Sequence, residues 1–302
     1  KEEPFFLYMP FSHVHTTQDN QPESQYAGCA FKNTSRRGKF GDALSEVDWI
    51  VGNLVEKVRE AGIEENTLFL FTGDNGPWMS KGLSGGSTGL LTGRHSGYWN
   101  TGKGSTWEGG IREAAFAYWK GQVQPFSRSA EVVSSMDVFP TISKLAGVPL
   151  PEGPVYDGRD MSPVLLEADG KSKHDFLFHY GGCSQHWPAT VRHGKWKAHW
   201  CTGPGLGGCE GCSVKRYEDH EPLLFNVEKD PSESTPVDAT QSPEAAAALK
   251  DIVRALAMEK ATFVHQANVP APDGPGEGPG RYGVCCDRSR NCNCDGRPND
   301  AA

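Results

Sequence analysis

Apolar residues recur at Leu44, Val47, Val51, Leu54 and Val58, spacings of three and four that put one stripe along a helix. The basic loop Arg36-Arg37-Gly38 precedes it, Asp42 in its first turn and Lys57 and Arg59 in its last suit the helix dipole, and Gly62 supplies the stop. Thr67 to Thr72, TLFLFT, is a continuous apolar run too short for a helix and bounded by turn residues, which predicts a strand buried on both faces. Helix followed by buried strand predicts an α/β fold with a mainly parallel sheet. The run Phe5 to Phe11 is also strand-like. Ser135 to Gly147 predicts a short helix with Asp137 as N-cap and Pro140 in its first turn.

After Pro163 the texture changes. Phe176 to Tyr180, Thr190 to Trp200 and Pro222 to Val227 read as strands separated by Gly, Cys and Asp clusters, a small antiparallel unit. Ser242-Pro243-Glu244 is a helix start, and Leu249, Ile252, Val253 and Leu256 lie on one face of the helix it opens. The organisation expected is therefore an α/β unit over 1–165, a smaller α+β unit of antiparallel strands and a helix over 166–265, and a Pro/Gly linker with a Cys-rich tail over 266–302.

Composition narrows the picture. The chain has 302 residues, and a formal charge of −8 leaves no basic field for a phosphate backbone, so a nucleic-acid partner is not expected. No apolar run has the roughly 18 residues needed to span a bilayer. Nine cysteines, with Cys285, Cys286, Cys292 and Cys294 crowded near the end, suit disulfides in an oxidising compartment. Cys209-Glu210-Gly211-Cys212 also has the spacing of half a zinc site, although no second regular C-x-x-C or H-x₃₋₅-H accompanies it. Asn33-Thr34-Ser35 is a glycosylation sequon, which fits secretion.

Three places carry candidate chemistry. Asp74 and Asn75 come directly after the TLFLFT strand, where ligand sites of α/β sheets gather; they offer oxygen donors for a hard cation, or simply a tight turn. Two side chains cannot fill a calcium shell of about six to eight oxygens, so further ligands must come from elsewhere. His13 and His15, two apart, share one side of an extended segment and suit catalysis, zinc or plain packing. Lys103 lies between Gly102 and Gly104 in the long Gly, Ser and Trp-rich stretch from Pro77 to Gly110, a cation on a backbone that permits close approach, or an ordinary loop lysine.

These strings also form an ordered set. FFLY leading to Ser12-His13-Val14-His15, then FGDALSEVDW, TLFLFTGDNGPW, GKGSTWEGGIRE, SSMDVFPTISKLAGVPLP, YDGRDMSPVLL, VRHGKWKAHW and PLLFNVEKDPSE resemble the arylsulfatase branch of the sulfatases, the A and G types, with the tail cysteines most like G. The resemblance implies an alkaline-phosphatase-like sulfatase fold and hydrolysis of sulfate esters of sulfated sugars or aryl sulfates. It implies Asp74 and Asn75 as calcium ligands and His15 and Lys103 as holders of the substrate sulfate, with His13 supporting. Lysosomal or extracellular delivery through the secretory pathway goes with it.

The chain departs from that family in one respect. The family nucleophile is a formylglycine, made by a formylglycine-generating enzyme from the cysteine of a C-x-P-x-R motif, and no cysteine here has it; Cys286-Asp287-Arg288-Ser289-Arg290 lacks the proline. The motif and the remaining calcium ligands are expected upstream of Lys1, making the chain the C-terminal portion of a longer enzyme. The other reading is a non-catalytic protein that keeps the fold and binds sulfated glycans.

Overall fold

A computed structural model describes residues 3–16, 25, 27–181 and 187–262. The linker and the cysteine-rich tail expected over 266–302 lie outside the described residues. Helix α1 spans Gly38–Glu60 and ends as expected, with Gly62 in the left-handed region at φ 66°. Its start lies a turn earlier than the stripe indicates, so Asp42 is not in the first turn. The Asp42 carboxylate instead accepts the backbone N–H groups of Asn33, Thr34 and Ser35 at 2.8, 3.1 and 2.7 Å, fastening the entry loop onto the helix.

Strand β1, Phe69–Thr72, is succeeded by the long loop, the short helix α2 at Glu108–Ile111, and strand β2 at Ala115–Tyr118. The mainly parallel sheet is not what the described strands form: β1 pairs antiparallel with β2, and every other described pairing is antiparallel too. A parallel neighbour needs a crossover connection, usually a helix that packs on the sheet; the segment between β1 and β2 carries 3₁₀ turns and the four-residue helix α2, and it returns the chain antiparallel alongside β1. With one neighbour strand, β1 is half-buried rather than enclosed on both faces. Phe71 stacks on Phe116 across the pair at 4.8 Å between centroids. The run Phe5 to Phe11 joins no described strand, and Phe5, Phe6, Leu7, Tyr8 and Met9 are exposed.

Helix α3, Val138–Leu145, continues from a 3₁₀ turn at Ser135–Asp137. Asp137 was expected as the N-cap, but the side-chain cap is Ser134. Ser134 accepts the Met136 N–H, Asp137 reaches back to the Ser134 N–H at 2.8 Å, and together they close a capping box. Asp137 also accepts the Arg159 N–H at 2.7 Å and meets His174 Nε2 at 2.7 Å, so it binds the start of α3 to the chain on both sides of helix α4 at Ser162–Leu166.

Strands β3 (Leu177–His179), β4 (Thr190–His193) and β5 (Trp196–His199) come next, then the small hairpin of β6 (Cys201–Thr202) and β7 (Lys215–Arg216), and β8 (Leu223–Asn226). The sheet order is β3-β4-β5-β8, and helix α5, Pro243–Thr262, lies against it. Alternation along β5 explains the packing. Trp196 and Ala198, with Trp200 just beyond, share a core with Ala245, Ala248, Ile252 and Leu256 of α5, while Lys197 and His199 point to the other face.

That other face is buried as well. Lys197 Nζ lies 2.9 Å from Glu108 Oε1 and 3.0 Å from Glu233 Oε1, and His199 Nε2 lies 2.7 Å from the same Glu233 oxygen; Lys197, His199 and Glu233 have no solvent exposure. Arg192 and Arg112 reach Glu108 Oε2 from its outer side at 3.4 and 3.6 Å. Trp107 covers the cluster, its ring 4.7 Å from that of His199 and 5.9 Å from that of Phe225. Burial works to raise the Glu233 pKa, yet the charges of Lys197 and His199 and the bonds from His199 and the Glu108 N–H outweigh it and hold the carboxyl at about 2.

Two consequences are measurable. Lys197→Met should cost about 3–5 kcal/mol in urea unfolding, because it leaves two desolvated carboxylates without their common cation. The pH dependence has a definite sign. The Glu233 pKa is depressed in the fold, so its stabilisation is present above the ordinary carboxyl value of 4.5 and drains as pH falls toward about 2. Urea midpoints measured across that range should fall for the parent and fall less for Glu233→Gln.

Candidate active site

Lys103 sits where three constraints meet. Its N–H donates to Pro77 O at 2.9 Å and its carbonyl accepts the Leu206 N–H, so the backbone is clamped between the loop and the β6–β7 hairpin. The flanking glycines are required by contact: a Cβ at Gly102 would stand 2.1 Å from Pro77 O, and Gly104, at φ 86°, would bring one 2.9 Å from Leu206 N. The half-buried lysine then projects Nζ to 3.2 Å from His15 Nε2.

His15 belongs to an irregular segment held from both sides. Gln25 Nε2 donates to Val14 O at 2.9 Å and Ser84 O at 2.8 Å, tying the segment to the 3₁₀ turn Met79–Ser84. His13 Nε2 contacts Glu46 Oε2 of α1 at 3.1 Å, which places His13 as an anchor rather than at the site. His15 Nδ1 lies 2.6 Å from Thr16 O, a pure acceptor, so Nδ1 carries hydrogen. In the neutral ring Nε2 is therefore the lone pair that accepts from the Lys103 ammonium, whereas a protonated ring makes both groups N–H donors.

Asp74 and Asn75 form an exposed turn at the end of β1. Asp74 Oδ1 accepts the Asn75 N–H at 2.8 Å and Asn75 Nδ2 at 3.2 Å. The next residue, Gly76, packs on α2, its N–H donating to Gly110 O at 3.1 Å and its α-carbon face touching Gly109 O. These bonds are those of the tight turn that Asp-Asn-Gly favours. No bond joins this turn to the His15–Lys103 pair among the described residues.

Glu113, the last residue of GKGSTWEGGIRE, stands behind this turn. Its Oε1 is buried without a hydrogen-bond partner, and its carboxyl packs against Gly73, beside Asp74. Burial, and after it the charge of Asp74, push its pKa up to about 7. An orphaned carboxylate oxygen next to an aspartate is the donor chemistry of a hard cation, so Asp74, Asn75 and Glu113 fit part of a calcium shell. No group of three or more His, Cys, Asp or Glu among the described residues is spaced to hold an ion unaided.

The cysteines agree with the disulfide reading. Cys209 and Cys212 are bonded to each other, Cys201 is disulfide-bonded, and Cys29 is free and exposed. Asn33 is exposed in a left-handed turn at φ 63°. No helix among the described residues is long and apolar enough to cross a membrane.

The sulfatase family model matches residues 1–148 and the model for the C-terminal region of aryl-sulfatase matches residues 172–294, so the chain belongs to the sulfatase family. It is 38% identical over 265 residues to human arylsulfatase A, covering 83% of this chain and 48% of that protein. It is 35% identical over 294 residues to human steryl-sulfatase (90% and 46%), and 34% identical over 285 residues to human arylsulfatase G (89% and 51%). Similar identities place the chain with this group as a whole rather than with the G type alone. It spans about half the length of the curated relatives it matches. A solved sulfatase from a Pseudoalteromonas species superposes with a TM-score of 0.64 at 27% identity, covering 82% of this chain and 48% of that one, so the fold is the alkaline-phosphatase-like fold of sulfatases.

Gly102→Ala tests the clamp on Lys103. The added methyl must displace Pro77 O, and the expected cost is about 1–3 kcal/mol in urea unfolding with loss of the His15–Lys103 contact in NMR spectra. The same change at Gly52, where a Cβ meets nothing within 4 Å in the middle of α1, should stabilise by about 0.5–1 kcal/mol.

Proposed function

We propose that this chain carries the sulfate-holding half of the active site of an arylsulfatase-type sulfuric ester hydrolase, acting on sulfate esters of sulfated sugars or aryl sulfates. The observation that supports this reading most is the 3.2 Å contact between His15 Nε2 and Lys103 Nζ in a chain of the sulfatase family. Cleaving a sulfate ester builds negative charge on the sulfuryl and leaving-group oxygens. Two cationic donors this close can turn together onto oxygens of one sulfate and stabilise that charge without reorganising the backbone behind them. Either one, when protonated, can also hand a proton to the leaving alcohol.

Asp74 and Asn75 are proposed calcium ligands, with Glu113 as a neighbouring donor, and bound calcium would supply further charge stabilisation at the sulfuryl oxygens. The nucleophile expected for the family, a formylglycine installed by a formylglycine-generating enzyme, would be encoded upstream of Lys1. Disulfides at Cys201 and Cys209–Cys212 support passage through the oxidising secretory pathway, with lysosomal or extracellular delivery and a glycan on exposed Asn33. Sulfated ligands as substrates agree with a solved relative that is named for the metabolism of multiple glycosaminoglycans.

The test uses the full natural protein, including whatever precedes Lys1, and a chromogenic aryl sulfate. Turnover is expected, abolished by chelation and restored by calcium. Lys103→Met should lower kcat by about 10²-fold or more, and Asp74→Ala should remove the calcium response. Sulfated ligands that bind without turnover would instead support the non-catalytic protein, and indifference to sulfate would sink both readings. Loss of a peptide-N-glycosidase mass shift in Asn33→Gln checks the glycan.

A further inference from the structure

A lysine side chain has four rotatable bonds, and fixing its ammonium opposite a histidine on an irregular segment needs something that holds both. Clamping the Lys103 backbone is not enough, because it leaves the side chain free. The group that touches both is Trp78. Lys103 Nζ lies over the Trp78 ring at 5.4 Å from its centroid, and the His15 ring is 5.8 Å from it, tilted by 56°. Lys81 Nζ lies over the same ring at 4.8 Å.

Trp78 is itself immobilised by the residue that holds Lys103. Its Nε1–H donates to Leu206 O at 3.2 Å, and the Leu206 N–H donates to the Lys103 carbonyl. The contacts close on themselves: Lys103 backbone to Leu206, Leu206 to the indole nitrogen, indole face to the Lys103 ammonium. Ser80 Oγ and Asn100 Nδ2 also donate to Leu206 O, each at 3.2 Å, and Asn100 Nδ2 reaches Gly208 O at 2.9 Å, so the hub of the ring is fixed from several directions. We propose that Trp78 is the positioning residue of the His15–Lys103 pair, aiming the lysine ammonium through a closed ring of contacts with Leu206. This rests on the sulfate-holding role proposed above for that pair.

The experiment is a double-mutant cycle in the full natural protein, with the parent, Trp78→Leu, Lys103→Met and the double variant. The readouts are inorganic sulfate binding by calorimetry and kcat and KM for an aryl sulfate. Trp78→Leu should weaken sulfate binding about tenfold and lower kcat, and the double variant should lose far less than the product of the two single losses, because Trp78 acts through the side chains it positions, Lys103 foremost. Trp78→Phe, which keeps the ring face and loses the Nε1–H, should fall between parent and Trp78→Leu; if Trp78→Leu does not fold, the cycle is run with Trp78→Phe. A double variant whose loss equals the product of the two single losses, or a Trp78 variant that binds sulfate like the parent, overturns the proposal. A Lys103→Met protein that binds sulfate like the parent overturns the sulfate reading itself, and this one with it.

Discussion

The cation that the fold depends on is Lys197. It is sealed from water between Glu108, at the start of α2, and Glu233, in the turn after β8. Such a cluster is not in itself a strong source of stability, since desolvating the charges costs much of what their attraction returns. Its effect is on geometry. A partly satisfied set of buried charges is far worse than a complete one, so the loop bearing Glu108 has one acceptable position on the sheet.

That position propagates to the candidate site through short covalent distances. Glu108 fixes Trp107 on one side and the Gly109-Gly110 pair on the other. From Trp107 the chain runs back to Ser105, whose Oγ–H donates to Thr101 O at 2.8 Å, around the turn that presents Lys103. Gly109 and Gly110 receive the Gly76 backbone, which comes directly after the Asp74-Asn75 turn. Glu233 acts on the same loop from behind, its carboxylate accepting the Glu108 N–H at 2.6 Å while its carbonyl accepts the His95 N–H at 3.0 Å. Both chemical centres are thus hung from a cluster neither belongs to.

The helices were legible because their signals are local: the stripe of α1 and the Ser-Pro-Glu start of α5 are realised within a residue or a turn. The C-terminal strands were legible from alternation. What alternation along Trp196 to Trp200 does not contain is the fate of its polar face, because Lys197 and His199 look alike whether they meet water or Glu233 from the far side of β8. Glu113 was hidden for the same reason, since its burial beside Asp74 depends on β2 folding back along β1. Among the described residues the parallel pairing and the Phe5 to Phe11 strand expected are not formed, because pairing needs a neighbour that a local apolar run does not specify. His15 and Lys103, by contrast, are marked by their motif strings, and the structure brings them into contact across 88 positions of sequence.

The two stretches matched by separate family models share a single ionic knot, with Glu108 in one and Lys197, His199 and Glu233 in the other. A cut between α4 and β3 would therefore not release two self-sufficient modules. It would leave Glu108 on one piece and Lys197, His199 and Glu233 on the other, with groups now sealed from water suddenly hydrated, and the loop that presents Lys103 would lose its template. The loop and the sheet in that sense share one buried charge cluster and pack as one body.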